Sequence, residues 1–528
     1  MMKIRIPACH IKFILASCLA FLSGQMLMGQ AINPIIHADV PDMSMIRVGN
    51  EYYMSSTTMH MSPGLPIMKS KDLSNWELIS YAYDTLVSND AMNLENGKQT
   101  YGRGSWASCL NYQNGEFIVT TFSATSGQTH VYRTKDPAKG PWKTNSFSPS
   151  YHDHTIFFDD DGRVYMIYGA GKLLLKELKP DLTGLKEGGL DQVLIENASA
   201  PAGPNIMLGA EGSQLYKING KYYLFNITWP RGGMRTVVIH RADKITGPWE
   251  GRVGLQDLGV AQGGLISTPD GKWFSYLFRD YGAVGRIPYI VPVKWEDGWP
   301  VLGEEGKVPM KLDLPKKKSL IPGLVQSDDF SRKDNGNFLP LAWQWNHNPD
   351  NKYWSLHENK GFLTLTTFRK DTSFVTCKNT LTQRTIGPKS SASVKINTSK
   401  MKDGDIGGFG LLQKNYGYVG VVKEGKKRYL VMSNNVGGAE HVVKKNALKK
   451  KDVYLKAECD FLERADTAQF YYSLDGKKWE AIGDPLKMSY TLPHFMGYRY
   501  ALFNYATKNT GGKLLFDHYE INDLNENN

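Results

Sequence analysis

The chain has 528 residues, of which 41% are hydrophobic and 22% charged, so wholesale disorder is excluded and two or three domains are expected. Its 63 Lys and Arg residues exceed its 52 Asp and Glu residues, for a net charge of +11. The lysines are scattered, which is typical of a solvated basic surface or of weak attraction to acidic polysaccharide, and no nucleic acid partner is predicted. Beyond the N-terminus no apolar run approaches the ~18 residues of a membrane span, so no membrane span is predicted.

Residues 1–30 have the pattern of a secretory signal peptide. Basic residues precede an apolar core from Phe13 to Leu22, and small or polar residues follow as far as Gly29-Gln30-Ala31. We therefore expect a secreted or periplasmic protein. Residues 15–18 have lipobox-like types, but only five residues separate Lys12 from Cys18, which favours soluble export over a lipoprotein anchored at Cys18.

Three cysteines remain once the signal is removed, namely Cys109, Cys377 and Cys459. They allow one disulfide at most, and no Cys/His cluster has the spacing of a structural zinc site. We expect buried free thiols.

A short phrase recurs five times within residues 31–302, in which a turn that contains Gly precedes an aromatic or β-branched run. The glycines of these turns are Gly49, Gly115, Gly162, Gly220 and Gly271. Asn-Gly and Asp-Gly between apolar runs are strong hairpin signals, because both turn residues need a positive φ. Units of this length with about four short strands each predict a five-bladed β-propeller, for which a sandwich is the structural alternative.

The repetition ends near residue 302. Residues 303–326 are rich in Lys, Gly and Pro and are predicted to form a linker. Residues 327–528 show about ten short alternating strands with turn residues between them, which favours a β-sandwich of jelly-roll type. Both domains are therefore predicted to be all-β.

Three acidic residues stand at the beginnings of predicted blades. Asp42 precedes the first strand of blade one, Asp153 that of blade three and Glu211 that of blade four, in what we take to be the same register. A single such residue is more often a turn former. Because a propeller gathers the starts of its inner strands around one axial depression, three in the same register are expected to converge.

Converging carboxyl groups suit the cleavage of a glycosidic bond. One carboxylic acid protonates the departing oxygen while a second carboxylate acts on the sugar or on water, and like charges held close keep one member protonated near neutral pH. Trp106, Tyr151, Trp229 and Phe278 offer apolar faces to a sugar, although each could equally pack between blades. Arg286 could bind hydroxyl groups, hold a carboxylate or lie at the surface.

At these positions the sequence resembles glycoside hydrolase family 43, whose members are five-bladed propeller enzymes that act mainly on arabinose- and xylose-containing polysaccharides. The matching segments are Asn33 to Gly49 around Asp42, Ser62 to Trp76, Asp153 to Gly162, and Glu211 to Tyr216. Met43 stands where the family usually has Pro, and His154 and Thr155 stand where Pro and Ser are common. The C-terminal region resembles the concanavalin-like sandwich of some members, which can contribute a loop to the sugar pocket; residues 503–507 are our candidate.

The resemblance implies a role for each carboxyl group. Asp42 would be the general base that activates water, Glu211 the general acid, and Asp153 the residue that modulates the pKa of the acid and keeps it protonated. The family inverts configuration, which requires room for water between the base and the anomeric carbon. Many members also place a His near the channel centre that helps to hold a metal ion or water. Gln262 stands there in this sequence, so a structural calcium is doubtful, no metal ligands are predicted and no cofactor is required.

The sequence thus predicts an exported, inverting hydrolase that releases a terminal pentose from hemicellulose or its oligosaccharides. α-L-Arabinofuranose is placed ahead of β-D-xylose, on the resemblance to two-domain members alone. The alternatives are a glycan-binding propeller that has lost catalysis and a structural cell-surface adhesin. The sequence leaves the oligomeric state open.

Overall fold

A computed structural model describes residues 30–316, 320–333 and 336–525. The predicted signal peptide, with Cys18, lies outside these residues except for Gln30. The described chain contains β-strands and four short 3-10 helices, which are Ala200–Ala202, Gly282–Val284, Phe374–Thr376 and Leu462–Arg464. No helix in the described part is long and apolar enough to cross a membrane.

Five four-stranded antiparallel sheets form the first domain, with strands numbered along the chain. Blades one and two contain β2 (Ser44–Val48), β3 (Glu51–Ser55), β5 (Gly64–Ser70), β6 (Trp76–Tyr83), β7 (Ser108–Gln113), β8 (Glu116–Ser123), β9 (Gln128–Thr134) and β10 (Lys143–Phe147). Blades three and four contain β11 (Thr155–Phe158), β12 (Val164–Ala170), β13 (Lys172–Leu178), β14 (Asp191–Ile195), β15 (Ile206–Ile218), β16 (Lys221–Pro230), β17 (Thr236–Ala242) and β18 (Glu250–Leu255). Blade five contains β19 (Val260–Ser267), β20 (Trp273–Asp280), β21 (Arg286–Glu296) and β22 (Trp299–Leu302).

The first strands of the blades close into a ring. Each of β2, β7, β11, β15 and β19 contacts the next, and β19 returns to β2. The predicted five-bladed propeller is therefore confirmed, and the sandwich alternative for this region is wrong.

The hairpins form at the predicted turns. Asn114 and Gly115 have φ of 52° and 80°, and Asn219 and Gly220 have 52° and 79°. Both central residues of these two turns are left-handed, which matches the twist of the strands that they join.

The segment predicted as a linker also carries a strand. β1 (Gln30–Ile32) pairs antiparallel with β23 (Lys311–Pro315), so residues beyond the last blade are tied to the start of the described chain. Pro309, Pro315 and Pro322 are compatible with the absence of helix from the described residues of this segment, 303–316 and 320–326.

The second domain is the expected sandwich of two antiparallel sheets. The first sheet consists of β4 (Met61–Ser62), β24 (Gln344–Asn346), β27 (Leu381–Arg384), β29 (Asp405–Leu412), β30 (Gly417–Glu424), β31 (Lys427–Asn434), β32 (His441–Ala447) and β37 (Arg499–Ala506). The second consists of β25 (Trp354–Ser355), β26 (Leu363–Thr366), β28 (Lys389–Asn397), β33 (Asp452–Asp460), β34 (Thr467–Ser473), β35 (Glu480–Ala481), β36 (Leu486–Lys487) and β38 (Lys513–Asp523). The strand order of the first sheet is β32-β31-β30-β29-β37-β27-β24-β4, and that of the second is β25-β26-β38-β28-β33-β34-β35 with β36 beside β34.

The two domains share a sheet. β4 belongs by sequence to blade one, yet it is the edge strand of the sandwich, where Ser62 pairs with Trp345 and Met61 with Asn346. Buried side chains reinforce the junction: His60 Nε2 lies 3.1 Å from Asn346 Oδ1, and Gln344 Nε2 donates to Pro63 O at 2.7 Å. Cys109, Cys377 and Cys459 are buried free thiols, as predicted.

Candidate active site

The three predicted carboxyl groups come from three blades and meet at one end of the propeller. Asp42 and Asp153 each lie two residues before the first strand of their blade, with φ of 52° and 46°. Glu211 was predicted to precede the first strand of blade four, but it lies inside β15. The left-handed position of this blade belongs to Gly212, with φ of 65°, so Glu211 lies one residue ahead of the predicted register. The pairing of β15 with β16 is irregular on both sides of Glu211, and this irregularity sets the direction of its side chain.

Glu211 and Asp153 share a histidine that the sequence analysis did not single out. His152 Nε2 lies 2.9 Å from Glu211 Oε2 and 3.9 Å from Asp153 Oδ2. The first distance is that of a charge-assisted hydrogen bond. The position of His152 directly before Asp153 was the only sequence signal for this histidine.

Asp42 is held from the opposite side by Arg286. The guanidinium Nη1 donates to Asp42 Oδ1 at 2.8 Å and to Oδ2 at 3.0 Å, and both side chains are buried. Arg286 Nε also lies 3.3 Å from Asp280 Oδ1, and Arg235 Nε lies 2.6 Å from Asp280 Oδ2. Of the roles left open for Arg286, holding a carboxylate is the one observed.

Burial and mutual repulsion act on these carboxyl groups together. Burial raises the pKa of Asp42, the charge of Arg286 opposes that rise, and the charge of Glu211 adds to it. Burial, with the charges of Glu211 and Asp42, raises the pKa of Asp153 to about 7, although His152 opposes the rise. Burial lowers the pKa of His152, but its hydrogen bond to Glu211 and the nearby carboxylates outweigh this and raise it to about 9. The cluster therefore holds protons near neutral pH, as acid catalysis requires.

Two aromatic rings form a wall beside the carboxyl groups. Trp106 stacks with Phe495 at 5.8 Å between ring centroids and lies edge-on to His152 at 6.1 Å. Phe495 comes from the sandwich and also lies 4.2 Å from the guanidinium carbon of Arg286. The half-buried carboxylate of Asp39 holds the Phe495 loop in place, because it accepts the backbone N–H of Gly497 at 2.9 Å and that of Arg286 at 2.8 Å.

Two of the predicted sugar-binding aromatics occupy other positions. Tyr151 is buried in the core, where its ring contacts Tyr168 at 4.8 Å, and Phe278 is fully buried with the Arg286 guanidinium 5.0 Å from its ring. Neither presents a face to a sugar, so both predictions are wrong. Trp229 is half-buried and the guanidinium carbon of Arg235 lies 5.0 Å from its ring, which leaves at most one face open.

The sandwich reaches the site through a different segment from the one predicted. Residues 503–506 lie in β37, where Phe503 and Tyr505 are buried against Phe374 and Tyr418 in the sandwich core. The loop before this strand, with Phe495, faces the carboxyl groups instead. No sequence signal distinguished the loop from the strand.

The site offers little to a metal ion. His152, Asp153 and Glu211 have potential ligand atoms within 4.8 Å of one another, and they are the one such group in the described chain. His152 Nε2 and Glu211 Oε2 are joined by a hydrogen bond of 2.9 Å, so these two atoms face each other rather than a shared cation position. Gln262 lies against Gly212 and brings an amide rather than an imidazole to the channel. We derive no step through a metal ion.

Comparison with known proteins assigns the chain to one group of enzymes. The profile described as Glycosyl hydrolases family 43 matches residues 31–300. The chain belongs to glycosyl hydrolase family 43. A second profile, Beta xylosidase C-terminal Concanavalin A-like domain, matches residues 327–522. This family 43 protein is therefore a glycoside hydrolase that acts on carbohydrate, with a propeller and a concanavalin-like sandwich.

Similar family 43 proteins carry two substrate names. A Beta-xylosidase of Formosa agariphila is 29% identical over 93% of this chain and 90% of its own length. A Non-reducing end alpha-L-arabinofuranosidase of Bacteroides ovatus is 30% identical over 63% of this chain and 64% of its own. A solved structure described as a bifunctional GH43-CE of Bacteroides eggerthii is 64% identical, with a TM-score of 0.92, and covers 94% of this chain. This chain spans only 64% of the length of that protein.

Proposed function

We propose that the protein releases a terminal pentose from xylan-type hemicellulose or its oligosaccharides, with inversion at the anomeric carbon. The observation that carries the proposal is the convergence of Asp42, Asp153 and Glu211 from three blades into one cluster. Their separation in sequence means that only the closed ring brings them together. The wall formed by Trp106 and Phe495 supplies apolar faces for the sugar ring.

Each carboxyl group has an assigned step. Asp42 takes a proton from the water that attacks the anomeric carbon, and Arg286 keeps its carboxylate oriented. Glu211 gives a proton to the leaving oxygen as the glycosidic bond breaks and its electron pair moves to that oxygen. Asp153 supports the acid from the adjacent blade.

We place β-D-xylose first and α-L-arabinofuranose second. From the sequence we predicted arabinofuranose ahead of xylose, without a residue to support that order. The names of two similar proteins favour xylose, since a Beta-xylosidase and a Putative beta-xylosidase of Xylanibacter ruminicola match 93% and 85% of this chain. The arabinofuranosidase of Bacteroides ovatus supports the second candidate.

The direct test compares kcat/KM for xylobiose, 4-nitrophenyl β-D-xylopyranoside and 4-nitrophenyl α-L-arabinofuranoside. Proton NMR of the first product should show α-xylose from the β-xyloside before mutarotation, as inversion requires. Glu211→Gln should abolish hydrolysis of xylobiose while calorimetry still detects binding. Glu196→Gln, at an exposed ion pair with Lys172, is the matched control. If the parent binds xylo-oligosaccharides and hydrolyses no glycoside, the glycan-binding alternative replaces the enzyme; partner binding without any response to sugars would indicate the adhesin.

We also propose that residues 1–30 direct export to the periplasm or the medium. Cell fractionation and N-terminal sequencing of the mature protein test this. Cleavage near residues 29–31 supports soluble export, whereas a lipid-modified Cys18 would establish the lipoprotein alternative.

A further inference from the structure

His152 occupies the mouth of the carboxyl cluster and reaches solvent. Its side chain is 39% exposed, while its ring is flanked edge-on by Phe122 at 5.3 Å and Trp106 at 6.1 Å. These two rings come from blade two and fix the plane of the imidazole. Nε2 is thereby directed at Glu211 Oε2, 2.9 Å away on blade four.

The charges around His152 are almost all negative. Glu211 faces it from blade four, Asp153 from its own segment and Asp42 from blade one, and each favours the imidazolium form. His154 is the nearest other imidazole, and it is buried with its pKa lowered to about 4, so it remains neutral. Two arginines act on the cluster, and both are paired: Arg286 with Asp42 and Asp280, and Arg235 with Asp280. The pKa of His152, raised to about 9, agrees with this arrangement.

An inverting cycle leaves its acid and its base in the wrong protonation states. After one turnover Glu211 has lost a proton to the leaving group and Asp42 has gained one from water. Glu211 must regain a proton before the next turnover. A proton from Asp153 would only move the negative charge from Glu211 to Asp153, and the buried cluster would still lack one proton.

We propose that His152 is the positioning residue that orients Glu211 and returns its proton after each turnover. In this step the Nε2–H bond of the imidazolium breaks, and the proton passes to Oε2 of the Glu211 carboxylate. The neutral imidazole then takes a proton from solvent through its exposed side, while Asp42 releases its own proton to solvent. Charge and protons balance over the cycle. The inference rests on the proposed function, because it assigns Glu211 as the acid.

Two substitutions separate orientation from proton supply. His152→Gln retains an N–H donor for Glu211 but cannot titrate. His152→Phe retains a ring against Trp106 but has neither an N–H donor nor a titrating group. With xylobiose, we expect the alkaline limb of the kcat–pH profile to move down by about one pH unit in both variants, so that kcat falls about tenfold near pH 8. His152→Phe should additionally raise KM, since Glu211 is no longer held.

The leaving group provides an internal control. 4-Nitrophenolate departs with little protonation, so both variants should lose a smaller factor of kcat on 4-nitrophenyl β-D-xylopyranoside than on xylobiose. An unchanged xylobiose profile in both variants would overturn the proposal. Full rescue of the profile by His152→Gln would overturn the proton return, because the hydrogen bond alone would then suffice.

A titration without substrate keeps this inference separate from the proposed function. In protein with ¹⁵N-labelled histidine, the resonance absent from His152→Gln identifies His152. We expect it to titrate near pH 9 in the parent and to titrate at lower pH in Glu211→Gln. Titration at an ordinary histidine pH in the parent would overturn the inference even if the enzyme is active. The expected titration in a protein that cleaves no glycoside would instead refute the proposed function, and the proton return with it.

Discussion

Phe495 of the sandwich lies nearly parallel to Trp106 of the propeller, with 5.8 Å between ring centroids and an interplanar angle of 21°. One wall of the candidate active site is therefore shared by the two domains, although its two residues lie far apart in the sequence. Because Phe495 also covers the guanidinium of Arg286, the sandwich shields the ion pair that holds Asp42.

Removal of this ring tests the contribution of the sandwich to catalysis. Phe495→Ala should lower kcat/KM for xylobiose about tenfold, as expected for the loss of aromatic and cation–π contacts worth about 1–2 kcal/mol. Leu492→Ala is the matched control, since Leu492 lies in the same loop and is 72% exposed. Equal kcat/KM values for the two variants would show that the ring does not shape the site.

Loss of Arg286 should change the pH dependence of the reaction. Its charge lowers the pKa of Asp42 against the effect of burial. In Arg286→Met that pKa rises further, so Asp42 becomes a free carboxylate only at higher pH and the acidic limb of kcat/KM should move upward. Arg163→Met, which removes an exposed ion pair with Asp161, should leave the profile unchanged. A downward shift or no shift in Arg286→Met would contradict the assigned pairing.

Asp153 should make the protein less stable as pH rises. Its pKa is about 7 in the folded chain against an ordinary value of 3.8, so between these values the folded state binds more protons than the unfolded state. The associated stabilisation is present at low pH and is lost as pH rises through about 7. His152, whose folded pKa of about 9 is also raised, loses its stabilisation in the same direction.

Asp153→Asn should therefore melt a few degrees above the parent near pH 8 and close to it near pH 4. Asp161→Asn, in an exposed turn, is the control, and equal melting temperatures of Asp153→Asn and the parent near pH 8 would refute the prediction.

Three buried histidines at the domain junction should have the opposite effect. Burial lowers the pKa of His60 and His347 well below 6.5, and it lowers that of His494 to about 3. The unfolded chain therefore binds more protons below pH 6.5, and each histidine removes up to about 1.4 kcal/mol of stability per pH unit as pH falls. His494→Phe keeps the stacking on Tyr101, whose ring centroid lies 4.0 Å away, and removes one titrating group. Urea unfolding between pH 6.5 and 4.5 should show a shallower loss of stability in this variant; equal slopes would refute the assignment.

The fold was open to prediction because its signals are local. Each blade contains a hairpin whose turn glycine has a positive φ, and in Asn114-Gly115 and Asn219-Gly220 the residue before the glycine has one as well. The positions of Asp42 and Asp153 followed from the same periodicity, since both precede an inner strand by two residues.

The remaining features depend on distant packing. Tyr151 and Phe278 look like sugar platforms in sequence, but each ring is buried by packing, Tyr151 against Tyr168 and Phe278 beneath the Arg286 guanidinium. Phe495 reaches the site only because the sandwich docks on the propeller, and β4 pairs with a strand more than 280 residues away in sequence. The contact between His152 and Glu211 exists only once blades three and four are adjacent.

Strand β4, which blade one contributes to a sheet of the sandwich, makes the structures of the two domains depend on each other. A propeller expressed alone would leave β4 as an unpaired strand. A sandwich expressed alone would lack its outermost strand and would expose the backbone groups of Trp345 and Asn346 that pair with it. Chimaeras that exchange one domain for that of a relative must therefore carry residues 61–62 with the sandwich, even though the gene encodes them within the first blade.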